Sequence, residues 1–263
     1  MAEAGAIPAI VLAGERAGGN ALARAHGLGA SVLIEVAGRS LIERVIDTLR
    51  ASRSIAGGLV VGPHATVVEN TPGLRALFAR GDFRWQAPAA GPSASALAAA
   101  ASLARHPLLL TAGDHALLEA ATVDTFCAEA GACDADFVVG LVPHALVAAR
   151  FPRSRRTLLK FSDGTYCGAN LFLLRTAAGH LALALWQAVE QERKRPWRIA
   201  ARLAPGALLR YLAGRLPVAE AFARLSETSG CRVAFVEVHA ARAAVDVDSS
   251  ADLALAETVL RDG

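Results

Sequence analysis

The sequence contains few cysteines, few aromatic residues and no long apolar run. No window of 18 uninterrupted apolar residues occurs, which argues against a transmembrane helix. The amino-terminal residues lack a basic stretch ahead of an apolar core, so we expect no secretory signal and predict a cytoplasmic protein. The four cysteines form no Cys-x-x-Cys pair and are expected to be free thiols: Cys127, Cys133, Cys167 and Cys231.

The net charge of the chain indicates which kinds of binding partner are compatible with it. The formal net charge is +3 over 263 residues. This mildly basic balance fits an anionic small substrate or an anionic surface, and it does not require nucleic acid. We therefore expect no nucleic-acid partner, while a peripheral membrane contact stays compatible with the charge. Neither a repeat nor a linker is visible, so we predict one domain over 1–263, with a less regular region around 144–230.

Apolar runs and amphipathic stretches alternate along the chain. Strands are predicted at 10–12, 59–62, 85–87, 107–112, 136–142, 166–174, 233–238 and 244–248. Helices are predicted at 40–51, 74–80, 117–131 and 250–260, in an alanine-rich stretch capped by serines after Gly91, and over most of 176–229. Such alternation predicts an α/β fold with three α/β/α layers and a mostly parallel sheet covered on both faces.

The first predicted strand is followed at once by a loop of small residues over 13–20. Its glycines, Gly14, Gly18 and Gly19, allow backbone N–H groups to approach a ligand closely. Arg16 within the loop suits a polyanionic phosphate. The pattern predicts that the phosphates of a nucleoside triphosphate (NTP) bind here.

Carboxylates follow two later strands. Asp114 comes after 107–112, and Asp246 and Asp248 alternate within the predicted strand 244–248, so they share one face. Ligands of open α/β sheets bind at the carboxyl ends of strands. Carboxylates beside a phosphate loop are the oxygen ligands that Mg²⁺ takes. A magnesium site at Asp114, Asp246 and Asp248 is therefore predicted.

In this order, the motifs resemble a family of nucleotidyltransferases. It shares a fold with the molybdenum-cofactor guanylyltransferase, the sugar-phosphate nucleotidylyltransferases and the cytidylyltransferase of isoprenoid synthesis. The family opens with a loop like LAGGxGxR and a Gly-Lys/Arg-Pro-Leu-Ile helix start. The matching segments here are 12–16, 36–45, Gly91–Ser95, Leu110–His115, Gly168–Phe172 and Val245–Leu253.

The resemblance implies a nucleotide-diphospho-sugar transferase type of fold and a set of site residues. Arg16, Asp114 and Asp248 would be catalytic. The nucleotide would contact Leu12, Ala13, Gly14, Arg16, Ser31, Ser93 and Ser95. A phosphorylated small-molecule acceptor would contact His115, Lys160, Gly168 and Asn170. The implied reaction is an Mg²⁺-dependent transfer of NMP from an NTP to that acceptor, with release of pyrophosphate.

One position departs from the family pattern. The loop lysine that usually contacts the phosphates falls at Ser31, which cannot offset developing charge. Loss of such a group commonly costs about 10²–10³-fold in rate. Either Arg16, Arg24 or Lys160 supplies the missing cation, or activity is reduced.

Other interpretations of these residues remain open. Asp246 and Asp248 could be the D-x-D metal motif of a glycosyltransferase of related fold, and Ser31 could mark a nucleotide-binding protein with weak or lost catalysis. Asp114 and Asp248 could merely cap helices, and His115 could be structural. The basic cluster Arg153, Arg155, Arg156 and Lys160 could be a solvated loop, an acceptor-phosphate site or a contact with anionic membrane.

Overall fold

The computed structural model describes residues 5–15, 19–192 and 205–262. Within these ranges an eight-stranded sheet and a separate two-stranded hairpin are present. The large sheet contains β1 (Ile7–Leu12), β4 (Ile55–Val61), β5 (Phe83–Gln86), β6 (Leu108–Ala112), β7 (Phe137–Pro143), β8 (Leu159–Lys160), β9 (Thr165–Leu174) and β10 (Val233–Glu237). The hairpin contains β2 (Glu35–Val36) and β3 (Arg39–Ser40).

Helices connect most of these strands. They are α1 (Ala21–Ala25), α2 (Leu41–Ala51), α3 (Ala65–Asn70), α4 (Pro72–Ala79), α5 (Pro92–Leu103), α6 (Ala120–Ala132), α7 (His144–Arg150), α8 (His180–Gln191), α9 (Pro205–Leu212), α10 (Val218–Ser229) and α11 (Ser250–Asp262). Short 3₁₀ turns lie at Ser31–Leu33, Ala177–Gly179 and Ala241–Ala244. In the described ranges, none of the helices has the length and apolar character needed to cross a membrane.

The sheet is mixed and mostly parallel, as predicted. Its strand order is β10-β7-β9-β6-β1-β4-β5, with β8 paired to β9. Parallel pairs join β1 to β4 and β6, β4 to β5, and β7 to β10. The strand β9 runs in the opposite direction and is antiparallel to its neighbours β6, β7 and β8. The carboxyl ends of β1, β4 and β6 therefore meet at one edge of the sheet, where α/β proteins bind ligands.

Both faces of the sheet are buried, because alternate residues of each strand point to opposite sides. Ala9 and Val11 of β1 join one apolar cluster, while Ile10 packs with α5 on the other face. Helix α2 buries an apolar stripe against the first cluster. Its start is fixed by a capping box, in which Ser40 and Glu43 satisfy each other's backbone N–H groups.

Two predictions about local structure are wrong. The segment 244–248 is not a strand of the sheet: its Val247 N–H donates to the carbonyl oxygen of Asp114, which lies in a loop. The serines after Gly91 do not cap α5, whose N-cap is Gly91 without a side-chain bond. Ser93 and Ser95 lie inside the helix and bind other partners, described below. The short helices α1 and α3 were not predicted, because neither has a long apolar period.

The close packing of β4 against β1 yields a stability prediction. Gly58 has φ +156°, and a Cβ atom there would lie 1.8 Å from the carbonyl oxygen of Ala9. We expect Gly58→Ala to lower the free energy of unfolding by about 2–4 kcal/mol, because the strands must separate. Urea unfolding measures this. Gly131→Ala is the control: its Cβ would meet nothing within 4 Å, so an equal loss in both variants would contradict the packing argument.

Candidate active site

The loops after β1 and β6 leave the sheet side by side. The Gly113 N–H donates to the carbonyl oxygen of Leu12 (2.8 Å), and the Ala13 N–H donates to that of Val61 (2.8 Å). Gly62 has φ +94°, and a Cβ atom there would come within 2.7 Å of Gly14. Ala13 is buried and Gly14 is exposed. The backbone after β1 therefore passes close to its neighbours and opens to solvent at Gly14. Arg16 lies outside the described residues.

Asp114 and the Asp246–Asp248 segment lie next to each other. Their link is the hydrogen bond from the Val247 N–H to the carbonyl oxygen of Asp114, at 3.2 Å. Across the ranges that the structure describes, no group of three or more His, Cys, Asp or Glu residues is arranged to hold a metal ion. Any Mg²⁺ site here would thus take one or two carboxylates and complete its coordination with phosphate oxygens and water, as is usual for this ion.

Asp246 is held by a buried cation. The Nη1 atom of Arg156 lies 2.5 Å from Asp246 Oδ1, and the same guanidinium pairs with Asp252 in the first turn of α11. The side chain of Arg156 is 7% exposed. Asn170, in the left-handed region at φ +49°, donates from Nδ2 to Asp246 Oδ2 (3.4 Å). Asn170 of the predicted acceptor segment therefore adjoins the aspartate segment.

His115 lies beneath this cluster. It is 1% exposed, and burial lowers its pKa to about 4, although the charge of Asp246 acts in the opposite direction. The ring is therefore neutral near pH 7. It is inaccessible to a ligand in this structure, so the burial favours the structural role that the sequence left open. A contact with the acceptor stays a prediction.

Ser31 meets an acidic side chain from the phosphate loop. Its backbone N–H, at the start of the 3₁₀ turn 31–33, donates to Glu15 Oε1 at 2.5 Å. Glu15 is not among the predicted site residues, although it stands where LAGGxGxR has its second glycine. Arg24 is also close to this loop, because a Cβ atom on Gly19 would lie 3.2 Å from Arg24 Nη1. Within the described residues, Arg24 reaches this loop and Lys160 lies on β8, while Arg16 is outside the described residues.

The serines of the predicted base-contacting loop are buried and already hydrogen bonded. The hydroxyl and the backbone N–H of Ser93 both donate to Glu190 Oε2, the latter at 3.2 Å. Ser95 Oγ accepts from the Ala89 N–H at 2.9 Å. Glu190 lies near the end of α8 and was not predicted, because no local pattern links it to Ser93. Nucleotide contacts by both serines stay predictions.

Lys160 and Gly168 lie further along the acceptor side. Lys160 is exposed on β8 and pairs with Thr165 of β9. Thr165 is five residues from Asn170 along the strand, or about 16 Å. The structure thus does not bring Lys160 beside Asp246. Gly168 is exposed, and a Cβ atom there would meet nothing within 4 Å, so this face of β9 is open.

Comparisons with known proteins agree with the fold and with the family that the sequence resembles. The sequence-family model of the MobA-like NTP transferase domain matches residues 9–235 of this chain. A hypothetical transferase from Thermus thermophilus is 30% identical, with a TM-score of 0.78, and the match covers 94% of this chain and 99% of that one. A comparison with curated proteins found no match.

Two solved enzymes share the fold at lower identity. The 4-diphosphocytidyl-2C-methyl-D-erythritol synthase of Anaerococcus prevotii is 14% identical, with a TM-score of 0.58, and the match covers 97% of this chain and 96% of that one. The 2-C-methyl-D-erythritol 4-phosphate cytidylyltransferase of Thermus thermophilus is 16% identical, with a TM-score of 0.54 and coverage of 97% and 99%.

The family match and the fold together define the class of the protein as a nucleotidyltransferase. The chain belongs to the family of MobA-like NTP transferase domains.

The burial of His115 makes a pH-dependent contribution to stability. Its pKa falls from an ordinary 6.5 to about 4 on folding, so unfolding takes up a proton below pH 6.5. The lost stability reaches about 3 kcal/mol at pH 4. Between pH 7.5 and pH 5, we expect wild type to lose about 2 kcal/mol more than His115→Gln, measured by urea unfolding at each pH.

A matched variant separates this effect from the other histidines. His26 is exposed, so His26→Gln should keep the pH dependence of wild type. If His115→Gln also kept the pH dependence of the wild-type free energy of unfolding, His115 would not be the group that takes up the proton on unfolding.

Proposed function

We propose that the protein transfers an NMP group from an NTP to a phosphorylated small-molecule acceptor and releases pyrophosphate. The main support is the hydrogen bond between Val247 and Asp114, which joins the two aspartate-bearing segments beside the loop after β1. Family membership supplies the reaction class. A phosphosugar, a cofactor precursor and a lipid-headgroup precursor are all acceptors of suitable chemistry. A single domain and a cytoplasmic location remain predictions from the sequence.

Mg²⁺ is proposed to bind through Asp114 and Asp248. The donor set fits, because both are carboxylates on adjoining segments and this ion needs few protein ligands when phosphates are present. Asp246 is bound to Arg156 and Asn170, so as a ligand its carboxylate would have to exchange these partners for the ion. The bound ion would neutralise charge on the reacting phosphates. This pairing of Asp246 also argues against a D-x-D metal motif of the glycosyltransferase kind.

The protein's own part in the reaction is to bind and orient two anions. Backbone N–H groups of the loop from Gly14 onward, together with Arg16, are proposed to hold the NTP phosphates, because the Ala13 N–H is already bound to Val61. Ser93 and Ser95 would lie beside the nucleoside, and Asn170 and Gly168 beside the acceptor. An acceptor phosphate oxygen would attack the α-phosphorus in line. Because this nucleophile is already an anion, the chain needs no general base, and neutral His115 is consistent with that.

Asp114→Asn tests the proposed metal role. We expect it to lower kcat by about 100-fold or more, because an amide is a poorer Mg²⁺ ligand than a carboxylate. The assay is Mg²⁺-dependent pyrophosphate release from each of the four NTPs with a panel of phosphorylated acceptors. Asp134→Asn is the control, since Asp134 is 88% exposed and pairs only at the surface with Arg232. Equal activity of the two variants would refute the role of Asp114.

The carboxylate of Glu15 favours a second candidate, an NTP-binding protein with weak catalysis. An acidic side chain on the phosphate loop, beside a serine in place of lysine, opposes the accumulation of negative charge. The two candidates differ in one measurement. Tight NTP binding without pyrophosphate release for any acceptor would support the weak-catalysis candidate.

Glu15→Gln measures the cost of that charge. Glutamine keeps an oxygen that can accept from the Ser31 N–H, while one negative charge beside the phosphates is removed. We expect NTP to bind up to about tenfold more tightly, which corresponds to about 1.4 kcal/mol. Isothermal titration calorimetry gives the affinity, with Glu35→Gln, at an exposed residue, as the control. Weaker binding by Glu15→Gln would mean that the carboxylate serves the nucleotide.

A further inference from the structure

A large cavity lies outside the predicted nucleotide site. It has a volume of about 830 Å³ and lies between the segment at the end of α7 and the helix α11. We call it the α11 groove. One wall is the chain from Arg150 to Arg155, and the other runs from Ser249 to Thr258. Its size falls within the range of cavities that bind small organic ligands.

Three arginines line one wall without acidic partners. Arg150, Arg153 and Arg155 are exposed, and none forms an ion pair with any residue in the described ranges. Arg150 instead lies over the ring of Phe151, with its Cζ atom 5.7 Å from the centroid. Three like charges on one wall repel each other, and a bound anion would relieve that repulsion.

The carboxylate that lines the groove does not neutralise these arginines. Asp252 pairs with Arg156 and accepts from the backbone N–H and hydroxyl of Ser249 in a capping arrangement. Its charge is thus balanced by Arg156 and by the N–H and hydroxyl donors of Ser249. The groove keeps a net positive charge from Arg150, Arg153 and Arg155.

The remaining surface of the groove is largely apolar. Phe151 and Pro152 lie on the arginine side, and Ala251, Ala254 and Leu255 lie on α11. Ala251 and Ala254 are small and exposed, so they leave room beside the helix. A fully hydrated inorganic ion would not cover this apolar surface. A ligand with an apolar body would cover it and so remove the apolar surface from water.

The groove is separate from the predicted reaction centre, although one side chain adjoins both. Arg156 contacts Asp252 on the groove side and Asp246 on the side of Asp114. We propose that the α11 groove binds a soluble organic anion in which a phosphate or carboxylate is joined to an apolar body. The arginine wall binds the anionic group, and Pro152 with the exposed alanines of α11 binds the apolar part. This site stands whether or not the proposed transfer reaction is correct.

Isothermal titration calorimetry with hexyl phosphate tests the site. Inorganic phosphate and hexanol are titrated separately as controls, because they carry the anionic group and the apolar body alone. We expect hexyl phosphate to bind one per chain, and about tenfold or more tightly than either half. The double variant Arg153→Gln/Arg155→Gln should weaken binding about tenfold or more and reduce its dependence on salt. The charge-matched control is Arg80→Gln/Arg105→Gln, at exposed arginines elsewhere, and should bind like wild type.

A second variant tests the groove without changing its charge. Ala254→Trp fills the space beside α11, so it should weaken hexyl phosphate more than inorganic phosphate. Hexyl phosphate that binds the double arginine variant and Ala254→Trp within twofold of wild type would overturn the proposal, because binding would then lie elsewhere. A second result would also overturn it: the protein sediments with phosphatidylcholine vesicles that contain phosphatidic acid, this sedimentation requires the arginines, and hexyl phosphate does not bind. That result would assign them to a membrane surface.

Discussion

The buried guanidinium of Arg156 holds the aspartate side of the site together. It pairs with Asp246 and Asp252 and donates from Nε to Ser154 Oγ at 2.8 Å. One side chain therefore joins the segment after α7, the extended segment before α11 and the first turn of that helix. Removing one partner of such a cluster leaves uncompensated buried charge, which typically costs about 3–5 kcal/mol. Asp248 lies between the two paired aspartates, so its backbone position depends on this contact.

Apolar periodicity predicted most strands of the sheet. The prediction failed for a segment whose backbone is hydrogen bonded to a loop and not to a neighbouring strand. The run at 107–112 became β6 because continuous apolar residues suit a strand buried on both faces. The segment 244–248 alternates apolar and acidic residues as a strand would, yet its Val247 N–H donates to the carbonyl oxygen of Asp114 in a loop. Periodicity reports burial and not the identity of the hydrogen-bond partner. The site residues could be predicted as an ordered set, but their partners Arg156 and Glu190 depend on tertiary contacts between distant segments.

Two carboxylates occupy N–H donors within the predicted nucleotide-binding segments. Glu15 accepts from Ser31, and Glu190 accepts from Ser93. Buried donors left without partners cost about 1–3 kcal/mol each, so these bonds stabilise the chain without a ligand. A nucleotide that used either donor would have to displace a carboxylate. The contribution of that donor to nucleotide binding is then only the difference between the bond gained and the bond lost.

The charge of the phosphate loop sets a requirement on the rest of the site. Relative to the family motif, serine replaces a lysine at 31 and glutamate replaces a glycine at 15, so each of these two positions is more negative by one charge. Near a protein surface, two unit charges 4 Å apart interact by about 4 kcal/mol, and a triphosphate therefore needs other cations. Arg24 reaches the loop at Gly19, and Mg²⁺ would supply the remainder. The missing lysine therefore makes the proposed catalysis more dependent on the metal and on Arg24.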